Sequence, residues 1–319
     1  MVERFTNKFS GLKRITNYSS WFGLIALISI YYIQMGESIT AYSMGIIIEQ
    51  AVIVAIVATG AIFIFSFGQF DISLGAATAV AAMVSVITYN RTESIFLMLL
   101  ASILVGVSIG VIESILAVLL NLPVFVLTVA MLSILSSLVR VLLGGQSSIS
   151  IPSDAVAAFD NVPFKLFILI CYFLLCFFIF NYTKVGRESK FLGANPIAAK
   201  QSGVSNKKIT IIAFILVGIG VGLAGFLTVI RAPMLGQTTA ASLGLDVLVA
   251  IVFGGMPLSG GARSKISAAV VGAFSIVLLN QVLLSFGFSS GQNQIAKAIL
   301  FLFVVFVATI NYRKKILPR

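Results

Sequence analysis

Ten apolar runs, most of them near twenty residues, follow one another along this chain with only short polar or Gly/Pro breaks between them. An α-helix rises 1.5 Å per residue, so about 20 apolar residues cross the roughly 30 Å hydrocarbon layer of a membrane. The chain is 59% hydrophobic and 10% charged over 319 residues, where a soluble domain carries about 25% charged residues. No soluble fold of this length hides that much apolar surface. The expectation is an all-α, polytopic membrane protein with about ten transmembrane helices, some of them broken. It forms one transmembrane domain over residues 1–319 with no room for a separate soluble one.

The runs are expected at residues 21–35, 45–67, 72–89, 95–120, 123–143, 164–182, 209–230, 243–253, 266–286 and 295–310. Pro123 suits the first position of its helix. Basic residues gather in the cytoplasmic loops of membrane proteins. With the N-terminus inside, 16 of the 21 Lys and Arg fall on inside segments: the tail at 1–20, the loop at 183–208, Arg263 and Lys265, and the C-terminal cluster. Both termini are then cytoplasmic. The net charge of +11 is thereby a matter of topology, and no nucleic-acid partner is expected. The absence of histidine excludes histidine-ligated metals and histidine general-base chemistry. Cys171 and Cys176 lie in one apolar run and are read as packing residues. The first apolar run starts near Trp21 without a small-residue cleavage pattern, so no cleaved signal is expected.

Two places do not fit simple spans. The run at 243–253 reaches only about half the membrane before Gly254-Gly255. The stretch FGQFDISLGA at 67–76 sits between apolar runs with almost no polar residues to form a loop. It aligns without gaps with FGGMPLSGGA at 253–262, five positions of ten being identical. Both are expected to be breaks inside the membrane, where irregular backbone survives only in protein or beside a water-filled cavity. Charges inside spans are costly and face a cavity or a partner. The candidates are Glu49, Asp71, Glu113, Arg140, Asp246 and Lys297. Glu49 and Lys297 stand near span ends and are expected to reach the interface. Asn280 and Gln281 are mid-span, able to bind a solute hydroxyl or a neighbouring helix. Gly106-x-x-x-Gly110 and Gly218-x-x-x-Gly222 read as close-packing motifs within one subunit.

The longest polar break is 183–208, TKVGRESKFLGANPIAAKQSGVSNKK, with six of the 21 basic residues. Asn195 caps free N–H groups and Pro196 fits the first turn, so a short helix is expected over 196–202. Gly203 follows as its C′ residue. Gly186 and Gly193 are expected to make turns on the way in. A seven-residue helix does not hold by itself in water, which points to a soluble partner docking there.

Arg187, Gly193, Ala194, Asn195, Ala198-Ala199 and Ser202-Gly203 resemble the loop of the ribose-type permeases of ATP-binding-cassette importers. That group is akin to the branched-chain amino acid and nucleoside permeases. Asp71-x-Ser73-x-Gly75 resembles the family's IDLSVG, and Pro123-x-Phe125 with Thr128 its PxFxxTLG. Gly222-Leu-Ala-Gly225 resembles its helix after the loop. Asp246, Gly254-Gly255 and Ser259-x-Gly261 resemble its D…GG-x-SL-x-GG. The resemblance spans roughly 45–310. The chain departs from it at Val129-Ala130, Phe70 and Pro257, which puts the usual sugar in doubt.

The resemblance implies a bacterial inner-membrane permease that pairs with a second copy or a related permease. Cytoplasmic ATPase subunits would bind the coupling loop through Arg187, Gly193, Ala194, Asn195, Pro196, Ala198, Ala199 and Gly203. An extracytoplasmic solute-binding protein would deliver the cargo. ATP and magnesium would sit on the ATPase, with no cofactor on this chain, in which we find no GxxxxGK[ST] phosphate loop. The route would run past Asp71, Ser73, Gly75, Asp246, Gly254, Gly255 and Asn280, for a small neutral polar solute such as ribose or a nucleoside. The competing reading is a secondary transporter driven by an ion gradient through Asp71, Glu113 and Asp246. A membrane enzyme fits least, lacking a nucleophile or metal cluster.

Overall fold

The computed structural model describes residues 20–36 and 39–316. Among them are thirteen helices and two short strands. In chain order the helices are α1 (Ser20–Met35), α2 (Ala41–Ser66), α3 (Leu74–Thr92), α4 (Ile95–Leu120), α5 (Val124–Leu143) and α6 (Ser153–Ala157). Then come α7 (Val162–Tyr182), α8 (Lys184–Ala194), α9 (Pro196–Gln201), α10 (Asn206–Arg231), α11 (Leu243–Phe253), α12 (Ser267–Ser285) and α13 (Ser290–Ile316). The strands β1 (Ser148–Ser150) and β2 (Met234–Gly236) pair antiparallel, Ser148 opposite Gly236.

Each of the ten expected runs holds one helix. Six of these, α2, α4, α5, α7, α10 and α12, are long and apolar enough to cross a membrane by themselves. The others fall short for different reasons. α1 and α11 are short. α3 has 19 residues but is rich in alanine and threonine, and lies inside the bundle against α4, α5 and α10. α13 opens with the polar stretch Ser290–Gln294 and closes with Arg313–Lys315. The tail at 1–19 lies outside the described residues. Two smaller expectations need correction. Pro123 caps α5 and Val124 is its first residue. The all-α reading missed the β1–β2 ribbon, whose short strands carry no long alternating pattern.

α2 and α10 form the centre. Every α2 residue from Ala51 to Ser66 is buried, as suits a helix that is apolar on all sides. α10 lies against α2, α3 and α4. Its approach to α4 is set by the two glycine motifs, which pack on one another as expected. A Cβ on Gly218 would lie 2.6 Å from the Gly106 carbonyl oxygen, and one on Gly222 would lie 2.5 Å from Ile103 Cα. Ser102 Oγ bridges the same contact by donating to Gly222 O at 2.7 Å. α7 packs outside α2 and sends Tyr172 inward, where its hydroxyl donates to Leu216 O at 2.6 Å. The β1–β2 ribbon marks one end of the bundle, tied to α3 by Asn90 Nδ2 donating to Ser150 O. α8 and α9 mark the other.

Candidate functional site

The polar loop is built of two helices where one was expected. Asn195 separates them, and its Oδ1 accepts from Ala198 N–H at 3.0 Å. That cap starts α9 at Pro196, as the sequence predicts, and Gly203 follows with φ +82°. The preceding stretch is not a looping approach but the helix α8. Gly186 and Gly193 stand inside it and bring it close to neighbouring backbone. A Cβ on Gly186 would run into the Phe180 carbonyl, and one on Gly193 into that of Ser66. The amphipathic run explains what the turn reading overlooked: Gly186, Ser189 and Leu192 face inward. Arg187, Ala194, Asn195 and Pro196 are exposed, as is Ile197, while Ala199 is buried and anchors α9. Lys190 lies over the Phe180 ring, and partial burial holds its pKa below the usual lysine value.

A cavity of about 600 Å³ opens beside α9. One wall is Leu192, Pro196, Lys200 and the start of α10; the other is the α4–α5 turn at Asn121 and Pro123. Phe67 and Gln69, from the break after α2, form its floor.

The helix is interrupted at both expected places, and the two interruptions touch. α2 stops at Ser66 and α3 starts at Leu74; α11 stops at Phe253 and α12 starts at Ser267. Gly261 N–H donates to Ser66 O at 2.8 Å, and Gly68 lies against Ser259 O. The similar segments of the two halves thus meet.

Asp71 and Ser73 lie in the first break and Gly75 at the start of α3. The Ser73 backbone N–H donates to Asp71 Oδ1 at 2.8 Å. Ser73 Oγ is 2.6 Å from Asp71 Oδ1 and 2.8 Å from Glu113 Oε1 on α4. A hydroxyl has one hydrogen, so the second contact needs a proton held by a carboxyl. Ile72 N–H donates to Thr128 Oγ1, tying the break to α5. Asp71 Oδ2 has no partner among the described residues. Gly75 sets the start of α3 against the start of α11, a Cβ there lying 2.6 Å from Ala240 O and 2.9 Å from Gly244 N.

Asp246 is in the first turn of α11, well before the break at Gly254. It accepts from Lys297 Nζ at 2.6 Å. This corrects the expectation that Lys297 reaches the interface: it is 3% exposed, and a carboxylate within reach holds it in the bundle. Glu49 is likewise occupied. Lys165 is 1% exposed and joins Glu49 at 2.9 Å to Asp160. Asp246 lies 51 positions from Lys297 and Glu49 over 100 from Lys165, so neither pairing has a local sequence signal; only Asp160, five positions before Lys165, is near in the chain. Asn280 Oδ1 and Asn293 Oδ1 are buried without partners among the described residues, and Gln281 donates to Gln50 at 3.3 Å. Gly254 packs on Ala268, and Gly255 takes φ +89°. The structure therefore gathers Asp71, Ser73 and Gly75 at one break. Asp246 lies in the first turn of α11 and Gly254 and Gly255 just past its end, with Asn280 apart on α12. None of them lines the cavity beside α9.

A sequence signature described as branched-chain amino acid transport system / permease component matches residues 43–309. The chain is 26% identical to the ribose import permease protein RbsC of Haemophilus influenzae, over 96% of this chain and 97% of that one. It is 27% identical to the ribose import permease protein RbsC of Escherichia coli K12, over 90% and 92% of the two chains. With the galactofuranose transporter permease protein YtfT of Escherichia coli K12 the identity is 28%, over 82% and 78%. No solved structure matches the chain.

Proposed function

The chain belongs to the branched-chain amino acid transport system / permease component family, and from that premise we propose that it forms the solute route of an ATP-driven importer of a small neutral polar solute. A sugar such as ribose fits the relatives' names, and a nucleoside is the other small neutral polar solute in view. As a permease component it is a multi-pass membrane protein and not itself the ATP hydrolase.

In this reading the protein sits in the bacterial inner membrane with both termini and the α8–α9 end in the cytoplasm. Two cytoplasmic ATPase subunits, carrying ATP and magnesium, grip α9. An extracytoplasmic solute-binding protein docks at the ribbon end. A second copy, or a related permease, completes the route, and the chain itself holds no cofactor. The observation that carries the reading is α9: a capped helix of six residues, presenting Ile197 at 72% exposure, with Lys200 exposed in its last turn. A helix this short does not hold by itself in water, and a partner surface stabilises it. The ion-gradient alternative loses ground at Asp246, which is paired with the buried Lys297.

The test is twofold. A cysteine at Asn195 should react with impermeant maleimide only from the cytoplasmic side. Removing α9 should abolish co-purification of the ATPase while the permease still inserts. Labelling from outside, or uptake that persists without ATP and collapses with the ion gradient, would replace this reading.

A further inference from the structure

We propose that the end of α8 and the two breaks form one backbone junction that moves as a single body in the transport cycle, with Gly193 as its positioning residue. The inference rests on the reading that α9 takes force from an ATPase, and it adds where that force goes.

Three backbones converge on the carbonyl of Ser66, the last residue of α2. Gly261 N–H donates to it at 2.8 Å. A Cβ on Gly193 would run into it and lie 2.6 Å from Gly261 N, and a Cβ on Gly260 would run into it as well. Gly260 and Gly261 have φ of +65° and +88°, which only glycine takes without strain. No side chain separates the three strands of backbone. A side-chain contact can be relieved by a change of rotamer, but backbone packed on backbone is relieved only by moving the chain. Displacement of α9 therefore reaches Ser66 through Gly193, only two residues before the Asn195 cap. From Ser66 it passes to both breaks at once.

The opposite flank of the loop is built differently. There the cavity of about 600 Å³ separates Pro196 and Lys200 from Asn121 and Pro123. The loop is thus locked to the breaks and has open space toward the α4–α5 turn. Any relative motion belongs in that space.

Gly193→Ala in the intact, purified transporter should retain its ATPase subunits but lose solute uptake about tenfold or more, the scale of a coupling between sites. Gly45→Ala, whose Cβ meets only Val162 Cγ2 at 3.7 Å, should transport as wild type. Since Gly193→Ala can also fail to fold, spin-label distances in a chain that keeps Gly193 and carries serine in place of the exposed Cys171 give an independent reading. The exposed Phe191, Arg263 and Asn121 are labelled in pairs as cysteines. The Phe191–Arg263 distance should be the same in nucleotide-free and ATP-trapped transporter, whereas Phe191–Asn121 should differ. Near-normal uptake by Gly193→Ala, loss of its ATPase subunits, or a Phe191–Arg263 distance that changes between states would overturn the junction. Wild-type protein that never retains an ATPase would instead overturn the underlying assignment.

Discussion

Lys297→Met tests the buried pair between α11 and α13. The two charged atoms are 2.6 Å apart, with side chains 4% and 9% exposed. At an effective dielectric constant near 20 their attraction is about 6 kcal/mol. Desolvation opposes it by several kcal/mol per ion, so the intact pair is close to neutral for stability. Removing the lysine deletes the attraction and leaves the aspartate with its desolvation cost. The expected loss is about 3–5 kcal/mol. Asp246→Asn combined with Lys297→Met removes both charges and should recover most of it, to within about 1–2 kcal/mol of wild type. The assay is a double-mutant cycle on detergent-purified protein, following the monodisperse fraction after heating by size-exclusion chromatography. The order expected is wild type near the double variant, with both single variants well below. If Lys297→Met is as stable as the double variant, the carboxylate does not depend on the lysine and the reasoning fails.

Three further outcomes follow from named contacts. Asn195→Ala removes the acceptor for Ala198 N–H and should weaken α9 by about 1 kcal/mol, read as faster ATPase dissociation from the purified complex. Ser73→Ala severs the link between Asp71 and Glu113 and should destabilise the first break by about 1–3 kcal/mol, seen as faster hydrogen exchange over residues 67–75. Tyr172→Phe removes the hydroxyl's bond to Leu216 O, a loss of about 0.5–1.5 kcal/mol measurable as a lower apparent Tm. Unchanged exchange or melting would show that these contacts are not formed.

The places of the ten helices were legible because about 20 consecutive apolar residues leave the backbone no partner but itself. The start of α9 was legible because Asn-Pro and a following glycine act within a few residues. α8 was misread for an equally local reason. Its two glycines suggest turns, and only the presence of Phe180 and Ser66 against them shows that they serve close packing. The residues expected along the route divide in the same way. Asp71 and Ser73 bond to each other two positions apart, within reach of a motif. Glu113, forty positions on, joins them only through the packing of α4.

Sequence by itself determined that the chain is helical and membrane-bound, where its breaks fall, and where its loop helix is capped. These are local matters: hydrophobic run length, capping and glycine freedom act over one or two turns. Tertiary structure alone decided that the breaks meet at Ser66, that Lys297 and Lys165 are buried with carboxylates, and that the loop lies against the first break. Those contacts join residues far apart in the chain. Their energies come from burial and short range, neither of which exists until the helices have packed.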